Sequence, residues 1–285
     1  MDSILLIGLL IYVGLTLAVG VYASTRVKGS SDFLVAGRRL GLVLSTGTLA
    51  ATWFGGGIVV GASSEAYKKG FLGVIADPFG AALCLIVAGL FYARTMRRMG
   101  LTTIASFFEV RFGKHARLIA ALCTIPTYIG WVASLLVAFG RVLQVVAGVD
   151  PTLGIWIGAA IVLAYTTAGG MWAVTLTDFI QVSVLVVGLI VLAPLIIYDA
   201  GGWSAIRAQV PDSAFYLYPH GGGGAAWLSY FRDWLVIGLG NLAGQDLIQR
   251  TLSSRNENIA QNSAYLSALL YLTVGLIPVF LGIAG

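Results

Sequence analysis

Apolar residues run along this chain in long blocks separated by short polar stretches, and the blocks match the roughly 20 residues that a helix needs to cross hydrocarbon. They predict spans at 3–23, 40–62, 71–93, 118–149, 153–168, 171–198 and 225–248, with an eighth apolar run ending at 285. The first block has only Asp2 ahead of it, with no basic n-region, so it reads as a retained helix and not a signal peptide. The fourth is long enough to tilt or project beyond the bilayer, with Pro126 and Gly130 as expected kink points. Asp150-Pro151 marks a turn and Gly169-Gly170 a stop. Between blocks, 102–112 predicts a short surface helix, while 199–224 and 253–262 read as polar connections.

Two blocks carry a defect at their centre. The second contains Ala50-Ala51-Thr52-Trp53-Phe54-Gly55-Gly56-Gly57, and consecutive glycines let the backbone leave the helical well. In hydrocarbon, unwound backbone persists only where it is buried in protein or lines a polar cavity. Its freed carbonyls are hard oxygen ligands suited to a small cation. The plainer reading is a packing face, because small residues let membrane helices approach closely. The seventh block repeats the oddity in Gly238-Leu239-Gly240-Asn241-Leu242-Ala243-Gly244-Gln245-Asp246. Lying five spans apart, the two cross in opposite directions. Paired interrupted helices of this kind point to an inverted-repeat transporter with its site near the midplane.

Composition sharpens this. With 58% hydrophobic and 10% charged residues and a mean hydropathy of +0.91, the chain is an all-α polytopic membrane protein in the lipid bilayer. The net charge of +5 does not imply nucleic acid, because the basic residues sit in a few loops. Most of the 17 Lys and Arg follow the first, third and seventh spans, Arg250 and Arg255 among them. That bias puts those loops in the cytoplasm and the N-terminus outside a plasma (inner) membrane. Cys84 and Cys123 fall inside apolar blocks, and His115 and His220 lack ligand spacing. No nucleophile triad, phosphate loop or zinc cluster is legible, so neither an enzyme nor a cofactor beyond a coupling ion is expected.

The stretch Gly169-Gly170-Met171-Trp172-Ala173-Val174-Thr175-Leu176-Thr177-Asp178-Phe179-Ile180-Gln181 fits the Gly-Gly…Ala-Val…Thr-Asp…Gln signature of the sodium:solute symporter family. Phe33-Leu34-Val35-Ala36-Gly37-Arg38 and Gly244-Gln245-Asp246-Leu247-Ile248-Gln249-Arg250-Thr251 resemble two further family stretches. The likeness covers essentially the whole chain, and Ala51–Gly57 is most similar to the high-affinity choline transporter branch. The resemblance implies a leucine-transporter-type fold of inverted repeats. An extra N-terminal helix would occupy 3–23, a first five-helix repeat 40–198 and the start of a second 225–285. On this reading the single transporter domain is truncated after about eight transmembrane segments.

It also implies a sodium-coupled symporter of a small organic solute working by alternating access, with sodium and the solute as its partners. Backbone at Ala51 and Phe54 would contribute to a sodium site. Asp178 matches a second cation site present in some members. Its own chemistry leaves two readings open: an intramembrane carboxylate is costly and suggests function, yet near a helix start it favours the dipole. Asp77, beside Pro78, and Asp246, just past the second break, are weaker cases, and Asp77 can be read as a bond to neighbouring backbone. Trp53 and Trp131 match two walls of a cation–π cage for quaternary ammonium in choline transporters. Gly55, Asn241, Gly244 and Gln245, at the two breaks, complete the substrate candidates. Two further cage positions align with small Ala81 and Gly244, and a half-emptied cage points to a different or bulkier solute. Competing readings are a sensor module of a fused signalling protein, a choline or quaternary-ammonium transporter, and, less favoured, a passive channel.

Overall fold

In the computed structural model, which describes residues 3–285, every regular element is helical and no β-strand occurs among the described residues. In chain order the helices are α1 (Ser3–Ser24), α2 (Ser30–Val35), α3 (Leu42–Trp53), α4 (Ser63–Lys69), α5 (Ala81–Val87), α6 (Ala93–Met99) and α7 (Ile104–Phe112). They continue as α8 (Lys114–Ala147), α9 (Pro151–Asp199), α10 (Trp203–Gln209), α11 (Gly223–Gly238), α12 (Gln245–Ser253), α13 (Glu257–Thr273) and α14 (Leu276–Ala284). Wide π-helical turns at Gly57–Ala62, Ile75–Gly80 and Ala88–Tyr92 and a 3-10 segment at Gly70–Val74 carry the chain from α3 to α6. Among the described residues, Leu5–Ser24, Gly57–Met99, Lys114–Ala147, Pro151–Asp199 and Glu257–Ala284 are long and apolar enough to cross a membrane.

The chain divides into two compact units, one formed by residues up to Arg39 with Leu101–Thr177, the other by Leu40–Gly100 with Asp178–Gly285. In the first, glycines set how closely helices meet. A Cβ on Gly20 of α1 would lie 2.6 Å from the Tyr165 Cβ of α9, and one on Gly154 of α9 would lie 2.9 Å from the Gly140 Cα of α8. At Asp150-Pro151, expected as a turn, Asp150 caps α9, its Oδ1 accepting from the Thr152 and Leu153 amides at 2.9 and 3.2 Å, with Pro151 at the first helical position. The short helix expected at 102–112 is α7, capped by Thr103 Oγ1 accepting from the Ser106 amide at 3.1 Å. Across Pro126 and Gly130, α8 keeps helical dihedrals. The expected stop at Gly169-Gly170 is a one-residue hinge inside α9, where Gly170 takes φ 50, ψ −139. Only a residue without Cβ enters that region freely, so the helix turns without needing a loop.

In the second unit α13 is central. Its buried face of Ala260, Ser263, Ala264, Ser267, Ala268 and Tyr271 packs against α3, α5 and α6. Small side chains bring backbones close enough for polar bonds between helices. Ser267 Oγ donates to the Thr46 carbonyl at 3.1 Å, and Gln261 Nε2 to the Gly89 carbonyl at 2.9 Å. A Cβ on Gly89 would meet the Tyr265 ring at 2.6 Å. Gly89→Val is therefore expected to cost about 1–3 kcal/mol through overpacking. Thermal unfolding in detergent reads it, and a wild-type melting temperature would refute the close contact.

The connection expected at 253–262 is shorter than its polarity suggested, because Asn256 caps α13 and the polar residues from Glu257 form that helix's first turns. Here Leu40 exchanges backbone bonds with Ser253 and Arg255, at 3.2 and 2.9 Å. Arg97 donates to the Ser254 and Arg255 carbonyls at 2.5 and 3.1 Å, and Arg98 grips Glu257 through two bonds. The stretch 199–224 is likewise partly structured. It forms α10 and a 3-10 turn at Asp212–Phe215, anchored where Phe71 meets Phe215 and Phe280, and Trp203 meets both of those.

Candidate functional site

The first break falls where the glycine run begins. The last α-helical bond of α3 runs from the Phe54 amide to the Ala50 carbonyl at 2.8 Å. Phe54 then adopts φ −83, ψ 84, turning its carbonyl out of the helical direction. The Gly55 amide bonds to the Trp53 carbonyl at 3.1 Å, so Ala51 loses the partner that a continuing helix would give its oxygen. A Cβ at Gly55 or Gly56 would meet nothing within 4 Å, so the break borders open space. Trp53 ends α3 with its indole Nε1 buried and without a hydrogen-bond partner.

The second break separates α11 from α12. Both the Leu239 and Gly240 amides bond to the Leu235 carbonyl, at 3.0 and 3.2 Å, closing α11 with a widened turn. Asn241 is exposed in the gap, and the Gly244 amide bonds back to the Asn241 carbonyl at 2.9 Å. Gly244 is extended (φ −62, ψ 129) and half-buried, and Gln245 opens α12.

The two broken helices are tied by a polar cluster on Asp178. Thr48 Oγ1 of α3 donates to Asp178 Oδ2 at 2.5 Å, and Arg250 Nη2 of α12 reaches the same oxygen at 3.2 Å. Arg250 Nε also donates to the Thr48 carbonyl at 3.1 Å. Both charged side chains are only 14% exposed. Arg250 is thus not a loop charge, as its place after the seventh span had suggested. It belongs to the amphipathic helix α12 and turns inward because a buried carboxylate awaits it there. Its place in the glutamine–arginine stretch was the available signal, and Thr48, an ordinary threonine in an apolar block, offered none.

Asp77 interrupts the third expected span with non-helical dihedrals (φ −145, ψ 116). It makes no bond to neighbouring backbone through Oδ1, which is buried without a partner, as is the Tyr271 hydroxyl of α13. Ala81 is buried at the start of α5, and Asp246 lies in the first turn of α12. Trp131 belongs to the other compact unit, on α8, and is 55% exposed.

Long apolar helices, with an ion pair buried where two interrupted segments meet, define a multi-pass helical membrane protein. Its fold is that of a solved Na+-coupled sialic acid symporter, which it matches with a TM-score of 0.86 at 22% identity, over 99% of this chain and 60% of that one. A family profile for sodium:solute symporters matches residues 33–284, and the chain belongs to that family. It is 31% identical to the high affinity choline transporter 1 of Homo sapiens, over 98% of this chain and 50% of that protein. It is 28% identical to the high-affinity choline transporter 1 of Caenorhabditis elegans, over 99% and 50% respectively. The chain spans about half the length of the curated relatives it matches.

Proposed function

We propose that this chain works in sodium-coupled symport of a small organic solute by alternating access, with sodium as coupling ion. The observation that carries the reading is the pair of helix breaks, at Phe54–Gly56 and at 239–244, tied to one another through Thr48, Asp178 and Arg250. Freed backbone carbonyls beside open space suit a hard cation that sheds part of its water. On this reading Ala51 and Phe54 offer backbone oxygens to sodium. Both hydrogen bonds to Asp178 fall on Oδ2, which leaves lone pairs on Oδ1 for a second ion. Trp53, Gly55, Asn241, Gly244 and Gln245 line the solute's path at the breaks. Residues 40–198 form one five-helix repeat and 225–285 begin its inverted counterpart, after an additional helix at 3–23. The N-terminus lies outside the plasma membrane.

Small residues at Ala81 and Gly244 favour a solute other than choline, despite the names of the relatives. The test is uptake by the full-length protein in proteoliposomes across a solute library, with and without a sodium gradient. Uptake is expected to vanish when external sodium is replaced by potassium, and uptake indifferent to that exchange sinks the proposal. For a transported solute, Asp178→Ala is expected to raise the sodium concentration for half-maximal uptake at least ~tenfold, a loss of about 1.4 kcal/mol. Its solute affinity at saturating sodium should change less. If only protein yield falls, Asp178 serves the fold alone.

A further inference from the structure

Beside the first break lies a second polar feature that the cluster on Asp178 does not use. Asp77 sits on the non-helical turn between Ile75 and Gly80, and its Oδ1 is shielded from solvent with no hydrogen bond. Arg250 is engaged with Asp178, and among the described residues no Lys, Arg or His forms an ion pair with Asp77. On α13, which packs against this turn, Tyr271 is 0% exposed and its hydroxyl is also without a partner. Phe54, the residue at which α3 breaks, packs edge-on against the Tyr271 ring at 5.2 Å. A Cβ placed on Gly57 would have the Asp77 Oδ2 at 3.8 Å and no atom of another element closer. The carboxylate, through Oδ2, therefore borders Gly57, the last glycine of the run that breaks α3.

Buried polar atoms in native proteins are almost always bonded, and an unmatched carboxylate is the costliest exception. Two such atoms on different elements beside one helix break describe a receptor for something that brings both hydrogen-bond donors and positive charge. A quaternary ammonium brings charge alone. A divalent metal would want more ligands, and no group of three or more His, Cys, Asp or Glu that could hold one occurs among the described residues. An ammonium with N–H bonds fits both needs: one N–H donates to Asp77 Oδ1, another to the Tyr271 oxygen, while the charge is neutralised by the carboxylate.

We propose that Asp77 and Tyr271 form the recognition site for an N–H-bearing ammonium group, so that the transported solute is a primary or secondary amine or an amino zwitterion. This rests on the symporter reading and deepens it. It also accounts for a cage with two small positions, since hydrogen bonds to Asp77 would replace the aromatic walls that a quaternary head needs.

The test uses the full-length protein in lipid nanodiscs at saturating sodium. Binding is read as thermal stabilisation by two matched sets of probes: ethanolamine, choline and ethylene glycol, then butylamine, butyltrimethylammonium and butanol. The primary amines are expected to bind and the other members not. Asp77→Asn, which keeps the shape, should weaken amine binding roughly ten- to a hundredfold, as expected for a charge-assisted bond. Tyr271→Phe should weaken it several-fold. Both variants should bind radioactive sodium as the wild type does when no amine is present, which also shows that they are folded. The proposal is overturned if a quaternary or neutral probe binds as tightly as its amine, or if no amine binds. It is equally overturned if Asp77→Asn keeps amine affinity within about twofold, or if it loses sodium binding. Asp77-dependent amine binding without sodium-driven uptake would leave the receptor standing and remove the symporter reading instead.

Discussion

Replacing Arg250 by alanine is expected to destabilise the full-length protein by about 3–5 kcal/mol, among the largest losses any single side chain here can produce. The reason is what stays behind. Asp178 and Arg250 are each 14% exposed, so removing the guanidinium leaves a carboxylate in a poorly solvated place with only Thr48 Oγ1 to answer it. The Thr48 carbonyl loses the bond from Arg250 Nε at the same time and keeps the one from Thr52 Oγ1 at 2.7 Å. Replacing both members by apolar residues of similar size, Asp178→Leu with Arg250→Met, should recover most of the loss, because no charge is then left unmatched. Denaturation by SDS titration of wild type, both single variants and the double variant gives the coupling directly. If the single losses simply add in the double variant, the two side chains do not act as a pair.

Gly170→Ala is expected to cost about 2–6 kcal/mol, combining backbone strain of about 1–3 kcal/mol with overpacking of similar size. At φ 50, ψ −139 an alanine is strained whatever surrounds it. Its Cβ would also lie 2.5 Å from the Phe33 carbonyl oxygen and 2.7 Å from the Phe33 ring. Phe33→Ala on the same background should relieve only the ring part, since the carbonyl belongs to the backbone. A fall in melting temperature for Gly170→Ala with partial recovery in the double variant is the expected pattern, and an unchanged melting temperature would refute the hinge. Phe33, which opens the Phe33–Arg38 stretch, thus lies directly against the bend in the Gly-Gly stretch.

Legibility followed the physics of each feature. The breaks at Phe54–Gly56 and 239–244 could be read directly, because a glycine run weakens a helix wherever it falls and stands out against an apolar block. The boundary before α9 was equally plain as a turn in Asp150-Pro151, and the structure adds that Asp150 caps the helix. Hydropathy could not say that α9 passes its glycine pair with one bent residue in place of a loop, because that depends on a single dihedral. Nor could it say that 199–224 is anchored, since the anchors are aromatic contacts to Phe71 and Phe280, distant in sequence. Around the candidate site the carboxylates stood out, as charges in apolar blocks must. Their surroundings did not: Thr48 and Tyr271 look like ordinary span residues, and Arg250 resembled a loop charge until its direction was known.

The exchange of backbone bonds around Leu40 bears on the kinematics of the second unit. Leu40 stands just before α3, and its partners Ser253 and Arg255 flank the end of α12, while Ser254 Oγ donates to Ser45 Oγ at 3.1 Å. With Thr48 and Arg250 joining the same two helices further along, α3 and α12 are pinned at two separate levels. Two elements pinned at two points cannot pivot independently, so the pair has the freedom of one rigid lever. A tilt of α3 about its break would carry α12 with it, and because the two helices run antiparallel the gaps at Phe54–Gly56 and 239–244 lie at the same end of the pair.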